Sequence, residues 1–178
     1  MFLIMINFLN FILAETAIPV FSDITSDVLI SDIPSGSFMS VRDYNGDRLS
    51  DILIDNRLYK NISYFGTYFY DATEEAGLKE AKGHGTFIDF DDDSCPDLIF
   101  YGQNYSIEVY RNTCKGVFEK VENLKGFENC IHTEAVGFIP HKYFRYPLIY
   151  CADYEYRGEY FRDFLYVSNG DFSFYDVS

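Results

Sequence analysis

The sequence predicts an all-β fold, a partial β-propeller of about three four-stranded antiparallel blades. Three observations predict it. A sequence unit recurs after 46 residues and again about 51 residues later, each unit is built from short apolar runs separated by turn residues, and 19% of the chain is aromatic. Repeats of about 40 to 50 residues with four strands each are typical of β-propellers.

Length and charge limit the classes of protein to consider. The 178 residues suit a single domain with a sizeable core. The chain has 14 basic and 28 acidic residues, a formal net charge of -14. Nucleic acid and anionic membrane surfaces would repel this charge, whereas metal cations or basic partners would be attracted.

The first two repeats share an acidic loop. Residues 43–51 (DYNGDRLSD) and 89–97 (DFDDDSCPD) each follow an aromatic or β-branched run and lead directly into an apolar one. The next segments also match, residues 57–61 (RLYKN) with residues 108–112 (EVYRN). Each unit therefore predicts a blade of strand, acidic loop, strand, turn, strand, loop and outer strand.

The third repeat keeps its apolar runs and loses its acids. In its loop, residues 140–148, Pro140, Lys142 and Phe144 stand where the other loops carry acids, so this loop is predicted not to bind metal. The repeats together span residues 36–178, and residues 18–35 are predicted to be the remnant of a preceding blade. A propeller ring needs at least four blades. Completion by a second copy through self-association, an open arc and a truncated propeller all stay open.

The two acidic loops predict calcium sites. Calcium takes six to eight oxygen ligands at about 2.3 to 2.6 Å, and alternate positions of a tight loop can converge on one ion. Four carboxylates in one short loop repel each other unless a cation compensates them. The predicted ligands of the first loop are the side chains of Asp43, Asn45, Asp47 and Asp51 and the carbonyl of Leu49; those of the second are the side chains of Asp89, Asp91, Asp93 and Asp97 and the carbonyl of Cys95.

Two alternatives compete with the interpretation as calcium sites. An EF-hand loop begins in the same way, but it requires Gly at position 6 and Glu at position 12 between helices. Here position 6 is Arg48 or Ser94, position 12 is Ile54 or Phe100, and both flanks resemble strands. The other alternative is a pair of acidic turns without metal, which the recurrence of the loop at the same place in a repeat disfavours.

The N-terminus and two sequons predict a secreted glycoprotein. Residues 1–14 form an uncharged apolar run, too short to span a bilayer. We interpret them as a signal peptide with Ile12 and Ala14 at positions -3 and -1, and with residue 17 as the latest end; a buried N-terminal element or an uncleaved anchor is the alternative. No transmembrane span is expected in the mature chain. Asn61 and Asn104 begin N-x-S tripeptides and are predicted glycosylation sites.

Four cysteines fit the same compartment. Cys95, Cys114, Cys130 and Cys151 are even in number and contain no C-x-x-C pair, which disfavours a zinc or redox motif. They are expected to form two disulfides, for which three connectivities are open. Four buried thiols in a cytosolic protein are the alternative.

These motifs resemble a known family. The D-x-[DN]-x-D-x-x-x-D loops leading into strands resemble the FG-GAP, or VCBS-type, repeats of integrin α-chain propellers and related secreted proteins. Residues 86–100 and 107–112 are most similar to the T-cell immunomodulatory protein family. Its members are larger, glycosylated surface proteins with a propeller ectodomain. The resemblance implies a calcium-binding propeller at the cell surface or outside the cell.

The function predicted from the sequence is non-catalytic. Enzyme motifs such as G-x-S-x-G, H-E-x-x-H and glycine-rich phosphate loops are missing, and the only histidines are His84, His132 and His141. We expect a secreted or cell-surface module that binds a protein or a glycan. Its candidate binding face is residues 143–160, which are rich in Tyr and contain Arg145 and Arg157, together with the nearby Arg162. Strand and core aromatics are the alternative interpretation of that segment.

A second function from another class stays open. The chain is in that case a fragment of a secreted enzyme that acts on carbohydrate, with the propeller as its scaffold. A pocket that holds a histidine beside a carboxylate would favour this alternative.

Overall fold

In a computed structural model of the chain, the described residues form twelve β-strands in three four-stranded antiparallel sheets. The structure describes residues 37–63, 68–102, 105–153 and 162–178, and in addition residues 22, 23, 27, 28, 30, 33, 34, 66 and 158. The predicted signal peptide, residues 1–14, and the predicted glycosylation site Asn104 lie outside the described residues. Among the described residues there is no α-helix.

Each sheet is one blade, and its strands lie side by side in chain order. Blade 1 contains β1 (Met39–Arg42), β2 (Asp51–Ile54), β3 (Arg57–Asn61) and β4 (Phe69–Asp71). Blade 2 contains β5 (His84–Ile88), β6 (Asp97–Gly102), β7 (Tyr105–Asn112) and β8 (Phe118–Lys120). Blade 3 contains β9 (Thr133–Ile139), β10 (Leu148–Asp153), β11 (Phe164–Ser168) and β12 (Phe174–Asp176). The predicted fold class, a partial propeller of three four-stranded antiparallel blades, is confirmed.

Blade 2 is covered on both faces, because blades 1 and 3 pack against it. Every residue of β6 is buried, which explains its continuous apolar sequence. Successive side chains of a strand point to opposite faces. Leu98 and Phe100 accordingly join the core shared with blade 1, and Ile99 and Tyr101 join the core shared with blade 3.

The segments that follow the outer strands β4 and β8 each contact the outer strand of the next blade in the same way. The amide of Phe118, at the start of β8, donates to the carbonyl of Ala76 (2.9 Å), and the amide of Phe174 in β12 donates to that of Lys125 (3.0 Å). Glycine follows each acceptor at a positive φ, Gly77 and Gly126, and a Cβ there would lie 2.6 Å from the Phe carbonyl oxygen. Only glycine allows so close an approach of the two backbones.

The first blade has an equivalent contact with the predicted remnant, residues 18–35. The amide of Phe69 donates to the carbonyl of Val28 (3.0 Å), which repeats the bonds of Phe118 and Phe174. Val28 and Ile30 are both buried, and they pack with Ile54 and Tyr59 of blade 1. Against blade 1, Val28 thus occupies the position that Ala76 occupies against blade 2. That the whole segment derives from a blade stays a prediction.

A polar side chain at the end of the third strand ties each later blade to the loop before it. The fully buried Asn112 donates from Nδ2 to the carbonyls of Tyr44 (2.8 Å) in blade 1 and Pro96 (2.9 Å) in blade 2. In blade 3, the Ser168 hydroxyl donates to the carbonyl of Phe90 (3.0 Å), the residue equivalent to Tyr44. The two inter-blade contacts therefore have the same geometry and different side chains.

Replacing Asn112 tests how much this tie contributes. Asn112→Ala leaves two buried carbonyls without a donor, so the free energy of unfolding should fall by about 2 to 4 kcal/mol. Asn112→Ser copies Ser168 and should lose clearly less. Asn61→Ala is the control in blade 1, where the half-buried Asn61 bonds within its own blade to the carbonyl of Ser50 (3.0 Å). Urea unfolding measures all three, and equal losses for Asn112→Ala and Asn61→Ala would contradict the inter-blade role.

Candidate metal centre

The two acidic loops occupy the same place in their blades, since each joins the first strand to the second. Loop 1, residues 43–51, runs from the end of β1 into β2, and loop 2, residues 89–97, runs from β5 into β6. In loop 1 the predicted ligand positions are at least half-buried, whereas Gly46, Arg48 and Ser50 between them are exposed. This alternation places the predicted ligands on the inner side of the turn.

The last acid of each loop is the first residue of the second strand and is fully buried. Asp51 accepts hydrogen bonds from the amides of Tyr44 (3.1 Å) and Asn61 (2.8 Å). Asp97 accepts the equivalent bonds from Phe90 (3.1 Å) and Asn112 (2.8 Å). One carboxylate in each blade therefore joins the start of its loop to the end of the third strand.

The first acid of each loop closes the turn from the other side. Asp43 accepts hydrogen bonds from the amides of Gly46 and Arg48, both at 2.8 Å. Asp89 accepts them from Asp93 (3.2 Å) and Ser94 (3.0 Å). Position 6 of the loop, Arg48 or Ser94, has φ 69° in both cases. The loops therefore share the left-handed turn for which an EF-hand uses glycine, although neither carries glycine there.

The middle positions form successive side-chain turns. The Asn45 and Asp47 side chains accept bonds from the amides two residues later, at 2.9 Å each. Asp91 and Asp93 do the same in loop 2, at 3.3 and 2.8 Å. These turns hold Leu49 and Cys95, the predicted carbonyl ligands, in half-buried positions at the end of each turn.

Three of the predicted ligands of loop 2 converge. Asp89, Asp91 and Asp97 each place a carboxylate oxygen within 4.8 Å of the other two. In loop 1 the corresponding residues are Asp43, Asn45 and Asp51. A second group of similar spacing contains Asp93, Cys95 and Cys114, but both sulfur atoms belong to a disulfide and are not available as thiolate ligands.

Burial without a compensating cation shifts the titration of these acids. Desolvation raises the pKa of Asp97 to about 7, against the effect of its two backbone hydrogen bonds, and the nearby Asp91 and Asp93 raise it further. Desolvation likewise raises the pKa of Asp51 to about 6, with Asp47 and Asp43 adding to the rise. The pKa of Asp91 is also raised, chiefly by burial and then by Asp93. The centre thus favours whatever neutralises it, either protons or a metal cation.

Arg111 supplies a positive charge to loop 2. The sequence of the loop alone does not indicate this contact, because Arg111 belongs to β7. Its Nη2 lies 3.5 Å from Asp91 Oδ2 and 4.0 Å from Asp93 Oδ2, and the side chain is about half exposed. The residue before the Asn that ends the third strand is basic in both blades, Lys60 and Arg111. This repetition is the sequence feature that could have predicted the charge. One guanidinium does not balance the four acids at the predicted ligand positions.

Loop 2 is fixed by the Cys95–Cys114 disulfide, one of the pairings that the sequence left open. It joins position 7 of the loop to the turn between β7 and β8. The Cys114 amide also donates to Asn112 Oδ1 (2.9 Å), so the disulfide and the Asn112 side chain stabilise the same corner. The equivalent positions in blade 1 are Leu49 and Ser63, and loop 1 therefore lacks this cross-link.

The third loop, residues 140–148, connects β9 to β10 in the equivalent place. The buried Leu148 replaces the acid that opens the second strand in blades 1 and 2. From this loop, Arg145 reaches loop 2, where its Nε lies 3.3 Å from Asp92 Oδ2. A buried apolar side chain thus takes the place of the buried carboxylate in blade 3.

An open cleft of about 680 Å³ lies between the first strands of the three blades and loops 2 and 3. Its wall includes the basic side chains Arg42, Lys142 and Arg145 and the acids Asp89 and Asp92. Part of the predicted binding face, residues 144–147, lines this cleft. Of the rest of that face, residues 154–157 and 159–160 lie outside the described part of the chain.

The predicted glycosylation site Asn61 has the same position as Asn112. Its Oδ1 accepts a bond from the Ser63 amide (2.9 Å), and its backbone amide holds Asp51. The Asn61 side chain is half-buried beside loop 1. Its glycosylation stays a prediction.

Two histidines make packing and polar contacts. His84 Nδ1 lies 2.7 Å from Asp55 Oδ1, and its ring packs against Phe38 in blade 1 at 4.3 Å between centroids. Burial raises the Asp55 pKa, but hydrogen bonds from the Phe38 amide and His84 outweigh it and hold the pKa below its ordinary value. His141 lines the cleft, and its Nδ1 accepts a bond from the Tyr143 amide (3.3 Å).

Comparison with protein-family models and with curated proteins finds no match. Within the described ranges, no helix has the length and apolar character needed to cross a membrane. The functional interpretation therefore depends on the geometry of the loops and on the motifs in them.

The raised carboxylate pKa values predict how stability without metal depends on pH. Unfolded Asp titrates near pH 4, and Asp51 and Asp97 in the folded chain titrate near 6 and 7. The folded state thus binds more protons in this window, so the contribution of these two groups to the free energy of unfolding should be full below about pH 4 and lost as the pH rises to about 7.

Urea unfolding in chelator between pH 4.5 and 7.5 measures this contribution. Asp97→Asn should flatten the pH dependence relative to wild type, whereas Asp92→Asn, at the exposed Asp92 of the same loop, should keep it. An Asp97→Asn variant with an unchanged pH profile would show that the buried acid does not bind a proton in the folded state.

Proposed function

We propose that the protein is a secreted or cell-surface calcium-binding repeat protein that acts as a non-catalytic interaction module for a protein or a glycan. The observation that carries this proposal is the convergence of Asp89, Asp91 and Asp97, whose carboxylate oxygens lie within 4.8 Å of one another. Asp97 is fully buried in this group. Carboxylates this close together and partly buried repel one another, and a bound cation would compensate this repulsion.

The donor set favours calcium. Carboxylate, amide and carbonyl oxygens are the ligands of hard cations, and calcium accepts irregular sets of six to eight of them. Magnesium requires near-octahedral geometry and retains several waters, and zinc prefers nitrogen and sulfur. In loop 1 the side chains of Asp43, Asn45, Asp47 and Asp51 and the carbonyl of Leu49 would hold the ion; in loop 2 the side chains of Asp89, Asp91, Asp93 and Asp97 and the carbonyl of Cys95 would do so.

The metal would act as a structural element. Each loop connects the first two strands of its blade, and each ends on the buried acid that joins it to the third strand. A cation that neutralises that acid would stabilise the junction between the loop and the third strand. This role requires no catalytic residue. Because the metal would bind the folded loop and not the unfolded chain, its binding would raise the free energy of unfolding.

Three features support an extracellular location. The Cys95–Cys114 disulfide is typical of an oxidising compartment. The loops followed by strands are also similar to FG-GAP repeats, which occur in secreted and surface proteins. The N-terminal apolar run, residues 1–14, fits the same route as a signal peptide.

The cleft beside loop 2 is the candidate interaction surface. Arg42 and Lys142 give it basic groups in a chain of net charge -14, and Phe144 and Tyr146 give it aromatic groups. Aromatic and arginine side chains contribute most to binding at interfaces. The adjacent loop 2 would hold this wall of the cleft in one conformation when calcium is bound.

The alternative, a fragment of a carbohydrate-active enzyme, has one observation in its favour. His141 shares the cleft with Asp89 and Asp92, which is the histidine and carboxylate combination such a site needs. Asp89 is at the same time a predicted calcium ligand, and the His141 Nδ1 already accepts a bond from the Tyr143 amide. The non-catalytic proposal therefore has the greater support.

Calcium titration by calorimetry, together with thermal melting, tests the proposal. Two sites are expected, and saturation at about 1,000 times the dissociation constant should stabilise the fold by about 4 kcal/mol per site. Asp51→Ala should remove one site and Asp97→Ala the other. Asp91→Asn gives loop 2 the residue found at this position in loop 1, so it should keep two sites with weaker affinity at one of them.

Asp92→Asn is the control, since it removes an exposed acid that is not a predicted ligand, and it should leave two sites. The proposal fails if calcium gives neither heat nor a change in melting temperature, or if Asp92→Asn removes a site as Asp97→Ala does.

A further inference from the structure

The core between blades 2 and 3 contains two cysteines, Cys130 and Cys151. Both are buried, with 1% and 0% of their surface exposed. They belong to the same cluster of buried side chains, and their thiol groups hydrogen-bond to each other. Two sulfur atoms in contact within a closed core are an unusual feature that the metal centre does not explain.

The two cysteines come from different parts of the fold. Cys130 lies in the connection between β8 and β9, where its amide donates to the carbonyl of Phe127 (3.0 Å). Cys151 lies in β10, a middle strand of blade 3, paired with Phe164 on one side and Val136 on the other. A bond between them would fasten the inter-blade connection to the interior of blade 3.

We propose that Cys130 and Cys151 form a second disulfide in the native protein. The Cys95–Cys114 disulfide is typical of proteins of oxidising compartments, and it leaves these two cysteines as the remaining pair. They are in contact, so pairing requires no rearrangement of distant segments. The inference does not depend on calcium binding.

A shared metal ion is the competing explanation for two adjacent thiols. A structural zinc site needs four ligands. Among the described residues, the groups of metal-binding side chains that lie close together do not include Cys130 or Cys151. The neighbour of the pair is instead the buried phenol of Tyr166, whose pKa is raised by desolvation and then by the Cys130 thiol.

The bond would form by thiol–disulfide exchange with a small or protein disulfide as oxidant. One cysteine thiolate attacks the oxidant, breaks its sulfur–sulfur bond and releases the first thiol, which leaves a mixed disulfide. The second cysteine thiolate attacks the protein sulfur of that intermediate and releases the second thiol. Two electrons and two protons pass from the cysteines to the oxidant, which is reduced to two thiols.

This exchange must happen while the chain folds. In the folded state the contact with Cys130, and then burial, raise the pKa of Cys151, so little thiolate is present and no oxidant can reach it. A chain folded under reducing conditions should therefore keep both thiols and oxidise slowly. A chain folded with the oxidant present should contain the bond.

Peptide mapping tests the proposal on the full chain. The chain is unfolded, reduced and refolded in a buffer of reduced and oxidised glutathione, then denatured, alkylated and cut with trypsin without reduction. Cleavage after Lys and Arg separates all four cysteines, into residues 83–111, 112–115, 126–142 and 146–157. The expected result is two linked pairs, 83–111 with 112–115 and 126–142 with 146–157.

Alkylated Cys130 and Cys151 in molecules whose Cys95–Cys114 pair is complete would overturn the proposal. A stable link from Cys130 to Cys95 or Cys114 would overturn it as well. The Cys95–Cys114 pair is the internal control, because it shows in the same sample that the buffer oxidises the chain.

Stability gives a second readout. Cys130→Ala, Cys151→Ala and the double variant should each lower the melting temperature of the oxidised protein by roughly 5 to 10 °C, and by nearly the same amount, because each removes the same bond. Measured in reductant after reductive refolding, the losses of the two single variants should instead be smaller, because no bond is present to be removed. Additive losses in the oxidised protein would contradict a disulfide.

Discussion

The buried carboxylate at the start of the second strand is the constraint on which the other contacts depend. In blades 1 and 2 this residue, Asp51 or Asp97, accepts one amide from the start of its loop and one from the end of the third strand. The two backbone amides lower the free-energy cost of burying the charged carboxylate, but they do not cancel it. Desolvation therefore still raises the carboxylate pKa values to about 6 and 7. A cation bound by the same loop would compensate the remaining charge.

Contacts between blades begin at the same corner. The loop that the carboxylate orders presents a backbone carbonyl, of Tyr44 or Phe90, to a polar side chain of the next blade. In blade 2 the donor is Asn112, and the Cys95–Cys114 disulfide is an additional link. In blade 3 the donor is Ser168, and Leu148 stands at the position of the buried acid. Both of these inter-blade hydrogen bonds are therefore accepted by a loop that keeps its acids. Apolar packing then holds blade 3 to blade 2, and the Cys130–Cys151 contact holds the connection between them to blade 3.

The repeat itself was predictable from the sequence, and the contacts between its units were not. The period, the apolar runs and the two acidic loops placed the blades and the second strands correctly, because each depends on residues close together in the chain. The role of Asn112 was missed, since its partner Tyr44 lies in another repeat, and its equivalent Asn61 was interpreted only as a sequon. Arg111 and the choice among three disulfide pairings depend equally on distances between segments, which periodicity does not contain.

The central claim is that both acidic loops hold calcium while the third loop, residues 140–148, does not. The most direct test is a crystal structure of the protein grown with calcium, with anomalous diffraction recorded at a wavelength where calcium scatters. Two anomalous peaks are predicted, at about 2.3 to 2.6 Å from the carboxylate oxygens of Asp51 and Asp97 or of their loop neighbours, and no third peak near Leu148. Electron density in which Arg111 alone compensates loop 2, with no anomalous peak in either loop, would contradict the account.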